Sequence, residues 1–118
     1  MATSPTQLSL NHCRRHGADV VQVVERWNPH ARRRVDLFGC IDIVACVPGL
    51  GILGVQATSW DNVSGRLTKS RATPQLRQWL ACGGVFEVWG WGKTPGRRTY
   101  RLRRERLTID DLDDPVTD

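Results

Sequence analysis

Asp42 stands inside an apolar run, Cys40-Ile41-Asp42-Ile43-Val44-Ala45. Gln56-Ala57-Thr58 closes a second run, Ile52-Leu53-Gly54-Val55, beyond the turn sequence "VPGLG". A carboxylate in a buried strand is destabilising unless it is paired, bonded to hydrogen donors or holding a cation. The separation from 42 to 56 suits two neighbouring strands with that turn between them, which lets the two polar side chains meet. The plainer alternative for Asp42 is a strand-end aspartate that caps a loop.

The charge around this pair points to a polyanion. The 118-residue chain carries a formal net charge of +5, but its ends differ, because residues 110–118 hold five aspartates and no base. Setting those aside leaves 7 acids against 17 bases, a net +10 over residues 1–109. Nearly all the bases are arginines, clustered at 32–34, 66–77 and 97–106. Guanidinium forks match phosphate bidentately, so three clusters in so short a chain are the footprint of a nucleic-acid binder rather than of a merely solvated surface.

Other classes fit poorly. Four scattered cysteines (Cys13, Cys40, Cys46, Cys82) form no C-x-x-C pair, and with His12, His16 and His30 they lack zinc-site spacing, so reduced thiols are expected. No apolar run is long enough to cross a bilayer, and the start lacks a basic stretch followed by an apolar one. The expectation is therefore a cytoplasmic protein with no membrane partner.

The elements that must position Asp42 and Gln56 read as one α/β domain over 1–109, followed by an acidic tail, 110–118, expected to be disordered. Thr6 to His16 reads as a short amphipathic helix with Leu8, Leu10 and Cys13 on one side and Gly17 as its stop. "DVVQVVERW" (19–27) reads as a strand and "HARRRVD" as a basic loop. Apolar strands follow over 38–46 and 52–58, both near-continuous, as central strands covered on both faces should be. The pattern is helical from Asn62 to Ser70. A second helix follows, with Thr73 as cap, Pro74 in the first turn and Gly83 as end. "VFEVWGW" alternates as a strand, and "TYRLRRERLT" makes a last strand with arginines on its wet face.

This order, with "GCIDIVA" and "VQATS", resembles the PD-(D/E)XK nuclease superfamily and, within it, the small Holliday-junction-resolvase-like proteins of phage genomes. The likeness runs from about Thr6 to Leu107 and implies a restriction-endonuclease-like fold, a mixed central sheet flanked by helices. Asp42 matches the motif aspartate; Gln56 stands where the D/E is usual and Thr58 where the lysine is usual. The resemblance then implies a DNA-binding, metal-dependent endonuclease acting on branched or structured DNA, with a homodimer as the assembly such relatives form. Its Mg²⁺ or Mn²⁺ would be held by Asp42, Gln56 and the backbone oxygen of Ala57, with Asp36 as a further acid. Hard oxygen ligands suit either ion.

The departures from the motif set the remaining roles. Glutamine brings a neutral oxygen, so the ion would be held more weakly, and Glu25 or Asp36 could supply the missing charge. For both acids the alternative is an ion pair with the arginines at 32–34. Threonine cannot replace the charge of a lysine; Lys69, in the helical region after the motif, is the candidate substitute, as in relatives that move the lysine there, with Thr58 itself as the alternative transition-state helper. The acid expected on the first helix is not evident, and Gln7 is the nearest polar residue. Arg32, Arg33, Arg34, Arg66 and Arg71 are the expected phosphate clamps. Trp60 alone of the five tryptophans is kept as a DNA contact. The rival reading is a non-catalytic nucleic-acid-binding module that lost the motif lysine. An RNA binder is a third, weakened by the lack of an exposed aromatic motif.

Overall fold

The first helix begins where the sequence puts Ser4 before Pro5. The Ser4 hydroxyl accepts the Gln7 N–H at 3.2 Å, and proline suits the first turn, where its missing N–H has no partner anyway. In the computed structural model, which describes residues 3–114, this helix is α1, Pro5–Arg15. It buries Leu8, Leu10 and Cys13, as the spacing predicts, and stops at Gly17, whose φ of 85° suits glycine.

Seven strands follow: β1 (Val21–Val23), β2 (Arg26–Asn28), β3 (Arg33–Val35), β4 (Ile43–Val47), β5 (Gly51–Ser59), β6 (Val85–Lys93) and β7 (Tyr100–Leu107). Between β5 and β6 run a 3-10 turn, Trp60–Asn62, and helices α2 (Val63–Arg71) and α3 (Pro74–Ala81). The fold is mixed α+β. A five-stranded sheet in the order β1-β4-β5-β6-β7 is antiparallel except for the parallel β5–β6 pair, and β2–β3 forms a separate hairpin.

Each face of the sheet has its own core. Ile43, Ala45, Leu53, Val55, Trp89 and Trp91 pack with α1. Val63, Leu67 and Leu76 from α2 and α3 pack with Ile41, Phe86, Val88 and Leu107 on the other. The alternation of β6 explains the split, since Phe86 and Val88 point to one face and Trp89 and Trp91 to the other. Gly90 lets α2 come close, because any Cβ there would overlap the Val63 side chain.

Four sequence expectations change. The strand read over 19–27 is broken at Val24-Glu25: β1 pairs with β4, while β2 leaves the sheet to pair with β3. The "HARRRVD" stretch is therefore not all loop. Asn28 closes the hairpin turn by accepting the N–H groups of His30 (2.9 Å) and Ala31 (3.1 Å), and Arg33–Val35 is a strand. The first apolar strand starts at Ile43 rather than Phe38, because residues 36–41 curl into a tight turn bridged Leu37 to Ile41. Thr73 precedes the helix as expected, but its hydroxyl donates to the Lys69 carbonyl (2.9 Å) instead of capping.

The tail is also ordered further than its composition implies. Ile109–Asp111 forms a 3-10 turn closed by a reciprocal Thr108–Asp111 cap, and Leu112 is buried against α2 and α3. Asp113 then bonds backbone-first, its N–H to the Arg71 carbonyl (3.1 Å) and its carbonyl to the Arg77 guanidinium (3.0 Å). An apolar residue among the aspartates outweighs the charge pattern here. Residues 115–118 of the expected disordered tail lie outside the described residues.

Candidate functional site

Register brings the first two residues together. Ile43 pairs with Val55, so Asp42, one step before β4, stands opposite Gln56, and its N–H donates to the Val55 carbonyl at 2.9 Å. Both side chains are almost fully buried, Asp42 at 4% and Gln56 at 2% exposure. Asp42 Oδ2 accepts the Gln56 amide Nε2 at 2.9 Å and the Ala57 N–H at 2.8 Å. The same Nε2 reaches Asp36 Oδ2 at 3.2 Å, which draws a second carboxylate in from the 36–41 turn. Glu25, at the break between β1 and β2, is the third: Glu25, Asp36 and Asp42 each offer an oxygen within 4.8 Å of the others.

This crowding shows in the protonation of Asp42. Burial pushes its carboxyl up to about 8, the hydrogen bond with Asp36 and the charge of Asp36 add to the rise, and the Ala57 N–H and Gln56 amide only partly oppose it. At neutral pH Asp42 thus keeps its proton. Burial, and then the Asp36 charge, push the neighbouring Cys40 thiol up to about 11. The oxygen of the same amide, Gln56 Oε1, is buried with no partner among the described residues. Orphaned buried acceptors are rare because water or a donor normally satisfies them.

The carboxylates floor an open cavity of about 540 Å³ whose rim is basic. Arg33 and Arg34 come from β3, Arg66 and Lys69 from α2, and Thr6 and Gly39 complete the wall. Arg34 approaches Glu25 at 3.7 Å, so one of the two expected acid–arginine pairs forms. It is solvent-exposed on the arginine side, where such a pair contributes about 0–1 kcal/mol. The helix α1 contributes Thr6 rather than Gln7, which faces outward and bonds Asn11.

Asp42, Gln56, Ala57, Glu25, Asp36, Lys69, Arg33, Arg34 and Arg66 thus meet around one cavity. Thr58, Arg32, Arg71 and Trp60 do not line it. Thr58 is buried, and Arg32 sits exposed in the hairpin turn at φ 52°. Arg71 ends α2, where its carbonyl holds the C-terminal segment. Trp60 packs over Gly92 with the Arg101 guanidinium 4.1 Å from its ring centroid, a structural cation–π contact.

A second buried carboxylate escaped the sequence reading. Glu87, on the α1 face of β6, accepts both Nε and Nη2 of Arg104 (3.0 and 2.8 Å) on Oε1. It accepts the same pair from Arg106 (2.9 and 2.8 Å) on Oε2, and the Trp89 indole N–H at 2.8 Å. Two of the arginines read as lying on a wet face are therefore a clamp. Nearby, burial and the charges of His16, Arg104 and Arg15 lower the His12 imidazole to about 4.

No helix among the described residues is long and apolar enough to cross a membrane. Against known proteins, no family model, no curated protein and no solved structure matches this chain.

Proposed function

We propose that the chain is a divalent-metal-dependent endonuclease of restriction-endonuclease-like type that hydrolyses DNA phosphodiesters at the Asp42 cavity. The observation that carries this reading is the pairing of an acidic floor with a basic rim in a single cavity: three carboxylates within 4.8 Å of one another, below Arg33, Arg34, Arg66 and Lys69. Phosphate needs the rim; a carboxylate cluster beside it fits hard-cation chemistry.

The residues present suit such a cation. Asp42, Asp36 and Glu25 would hold Mg²⁺ or Mn²⁺, and the unpartnered Gln56 Oε1 would add a neutral oxygen once the amide, whose Nε2 faces both acids, turns over. The cation supplies Lewis-acid polarisation of a phosphoryl oxygen and a nucleophile at neutral pH. Arg33, Arg34 and Arg66 orient the backbone through charge-assisted hydrogen bonds, and Lys69 sets a positive charge where the transition state gains negative charge. The Ala57 N–H keeps the Asp42 carboxylate oriented.

One observation favours a second reading, a DNA-binding module without catalysis. The Gln56 amide donates to both Asp36 and Asp42, so a neutral side chain already answers the two acids. Titration of Mg²⁺ or Mn²⁺ with supercoiled, linear and four-way-junction DNA separates the two. Metal-dependent cleavage that Asp42→Asn abolishes, with DNA affinity largely kept, supports the nuclease. Binding without cleavage at any metal concentration selects the module, and cleavage that persists in Asp42→Asn overturns the site.

A further inference from the structure

The turn at 36–41 has two sides. Gly39 lines the Asp42 cavity, whereas Phe38, its immediate neighbour, lines a separate groove of about 560 Å³ with Ile52, Gln75, Gln78, Trp79 and Gly84. We propose that this groove takes an unstacked nucleobase, so that the DNA recognised carries an unpaired nucleotide beside the phosphate held in the Asp42 cavity. The proposal rests on the DNA reading above and narrows its substrate.

The groove has the chemistry of a base and lacks that of a backbone. Among the described residues no charged side chain lines it, although the cavity across the turn is rich in them. Its walls are rings. The Trp79 indole is fixed by its N–H to the Val85 carbonyl (3.0 Å) and lies over Gly84, where any Cβ would overlap it. The Phe38 ring is half exposed, with its centroid 6.2 Å from that of Trp79 and the two planes inclined at 51°.

Phe38 also holds a φ of 54°, a conformation that a bulky side chain rarely adopts, and the strain keeps an apolar ring at the groove mouth. Gln75 and Gln78 lie three residues apart on α3, which puts their exposed amides on the same side of the helix beside the rings. Aromatic faces stack on any base, and amides are the side chains that read base edges by paired donor and acceptor.

The arrangement divides a nucleotide into its two chemistries, phosphate on the Arg33, Arg34, Arg66 and Lys69 side and base on the Phe38 side. A paired base cannot reach the groove, because both of its faces are covered by stacking neighbours, so only an extruded or single-stranded base enters.

The test uses the full chain in EDTA with two DNA duplexes, one fully paired and one carrying a single bulged 2-aminopurine. The expected result is about tenfold tighter binding of the bulged duplex, with quenching of the 2-aminopurine as it stacks. Phe38→Gly removes the ring while suiting the backbone, and Gln78→Ala changes an exposed helix position. In either variant the affinity ratio should fall toward one, with folding checked by thermal melting. Equal binding of both duplexes with unchanged 2-aminopurine emission overturns the groove assignment and leaves the DNA reading standing. A preference that survives both variants does the same. Binding of neither duplex overturns both readings. Self-association that Phe38→Gly abolishes, without a 2-aminopurine response, gives the groove to a second copy and overturns the proposal.

Discussion

Asp42 and Glu87 are equally buried carboxylates on neighbouring hairpins, and their surroundings treat them in opposite ways. Burial pushes the Glu87 carboxyl up, but the Trp89 indole N–H and the Arg106 and Arg104 guanidiniums outweigh it and hold it below its ordinary value. Asp42 meets only an N–H and an amide, and its nearest charged neighbour is another acid, so its carboxyl rises to about 8. One carboxylate is fully answered by its own strand pair, since Glu87 faces Arg106 and Trp89 faces Arg104 across β6 and β7. The other is left for a cation or a proton. A satisfied carboxylate stabilises the fold; an unsatisfied one is held there by the fold and is available for chemistry.

Breaking the clamp should have the largest effect. Arg104→Met with Arg106→Met keeps the apolar stems and strands Glu87 in the interior; breaking a fully buried pair costs about 3–5 kcal/mol, and because both arginines are nearly half exposed the loss should fall at or below the lower end of that range. Urea unfolding measures it, and adding Glu87→Gln should recover part of the loss. If the double variant is as stable as the parent, the clamp is not structural. Lys69→Ala is the corresponding break at the other carboxylate centre, and it should act on rate instead. A preorganised charge at the transition state is worth about 2.7–4 kcal/mol, or roughly 10²–10³ in turnover, with little change in melting temperature. Weaker DNA binding at unchanged turnover would make Lys69 a backbone contact.

The two acids should also bend the pH–stability curve in opposite directions. Asp42 keeps its proton in the folded state up to about 8 but loses it near 3.8 when unfolded, so its contribution is full below pH 4 and declines between about 4 and 8. Asp42→Asn, measured in EDTA, should flatten that decline, which cannot exceed about 1.4 kcal/mol per pH unit for one proton. Glu87 has the reverse sign. Its contribution is present above its ordinary 4.5 and lost as pH falls through the depressed folded value, so Glu87→Gln should flatten only the acid limb.

Cation binding must also displace the Asp42 proton, so calorimetric Mn²⁺ affinity should rise with pH up to about 8. The finest adjustment is Gln56→Glu, which adds a charge to the cluster. It should tighten Mn²⁺ severalfold while raising the acid repulsion in EDTA. Unchanged affinity would remove Gln56 from the ligand set.

The Asp42–Gln56 pair was legible because strand alternation and a short turn fix which side chains face each other across a hairpin. Glu25, Asp36 and Lys69 were legible as residue types, and the folded chain brings all three to one cavity. Their convergence was not, since it depends on the chain leaving the sheet at Val24-Glu25 to form the β2–β3 hairpin. Thr6 was hidden because a helix's phase against the sheet decides which of two adjacent polar residues turns inward. The Glu87 clamp needs the β6–β7 register, which "VFEVWGW" and "YRLRRERL" contain only once they are paired. Trp60 shows the reverse: placed in a polar loop by the sequence, it is covered by Arg101 from the edge strand β7. Buried Leu112 was masked by the aspartates around it.

The single parallel pairing, β5 with β6, bears on how the chain assembles. β4–β5 and β6–β7 are antiparallel neighbours, local enough to zip within about 1–10 μs once their turns form. The seam between them closes only after residues 60–84, including α2 and α3, have crossed over, so its loop-closure entropy is spent before its contacts form. The Glu87 clamp lies wholly within the second hairpin. The Asp42 cavity draws on the first hairpin, on α2 from the crossover and on the β2–β3 hairpin before it. Fluctuations that open the seam and lift α2 are thus expected to dismantle the cavity while leaving the clamp whole, which hydrogen exchange would read as lower protection in α2 than in β6 and β7.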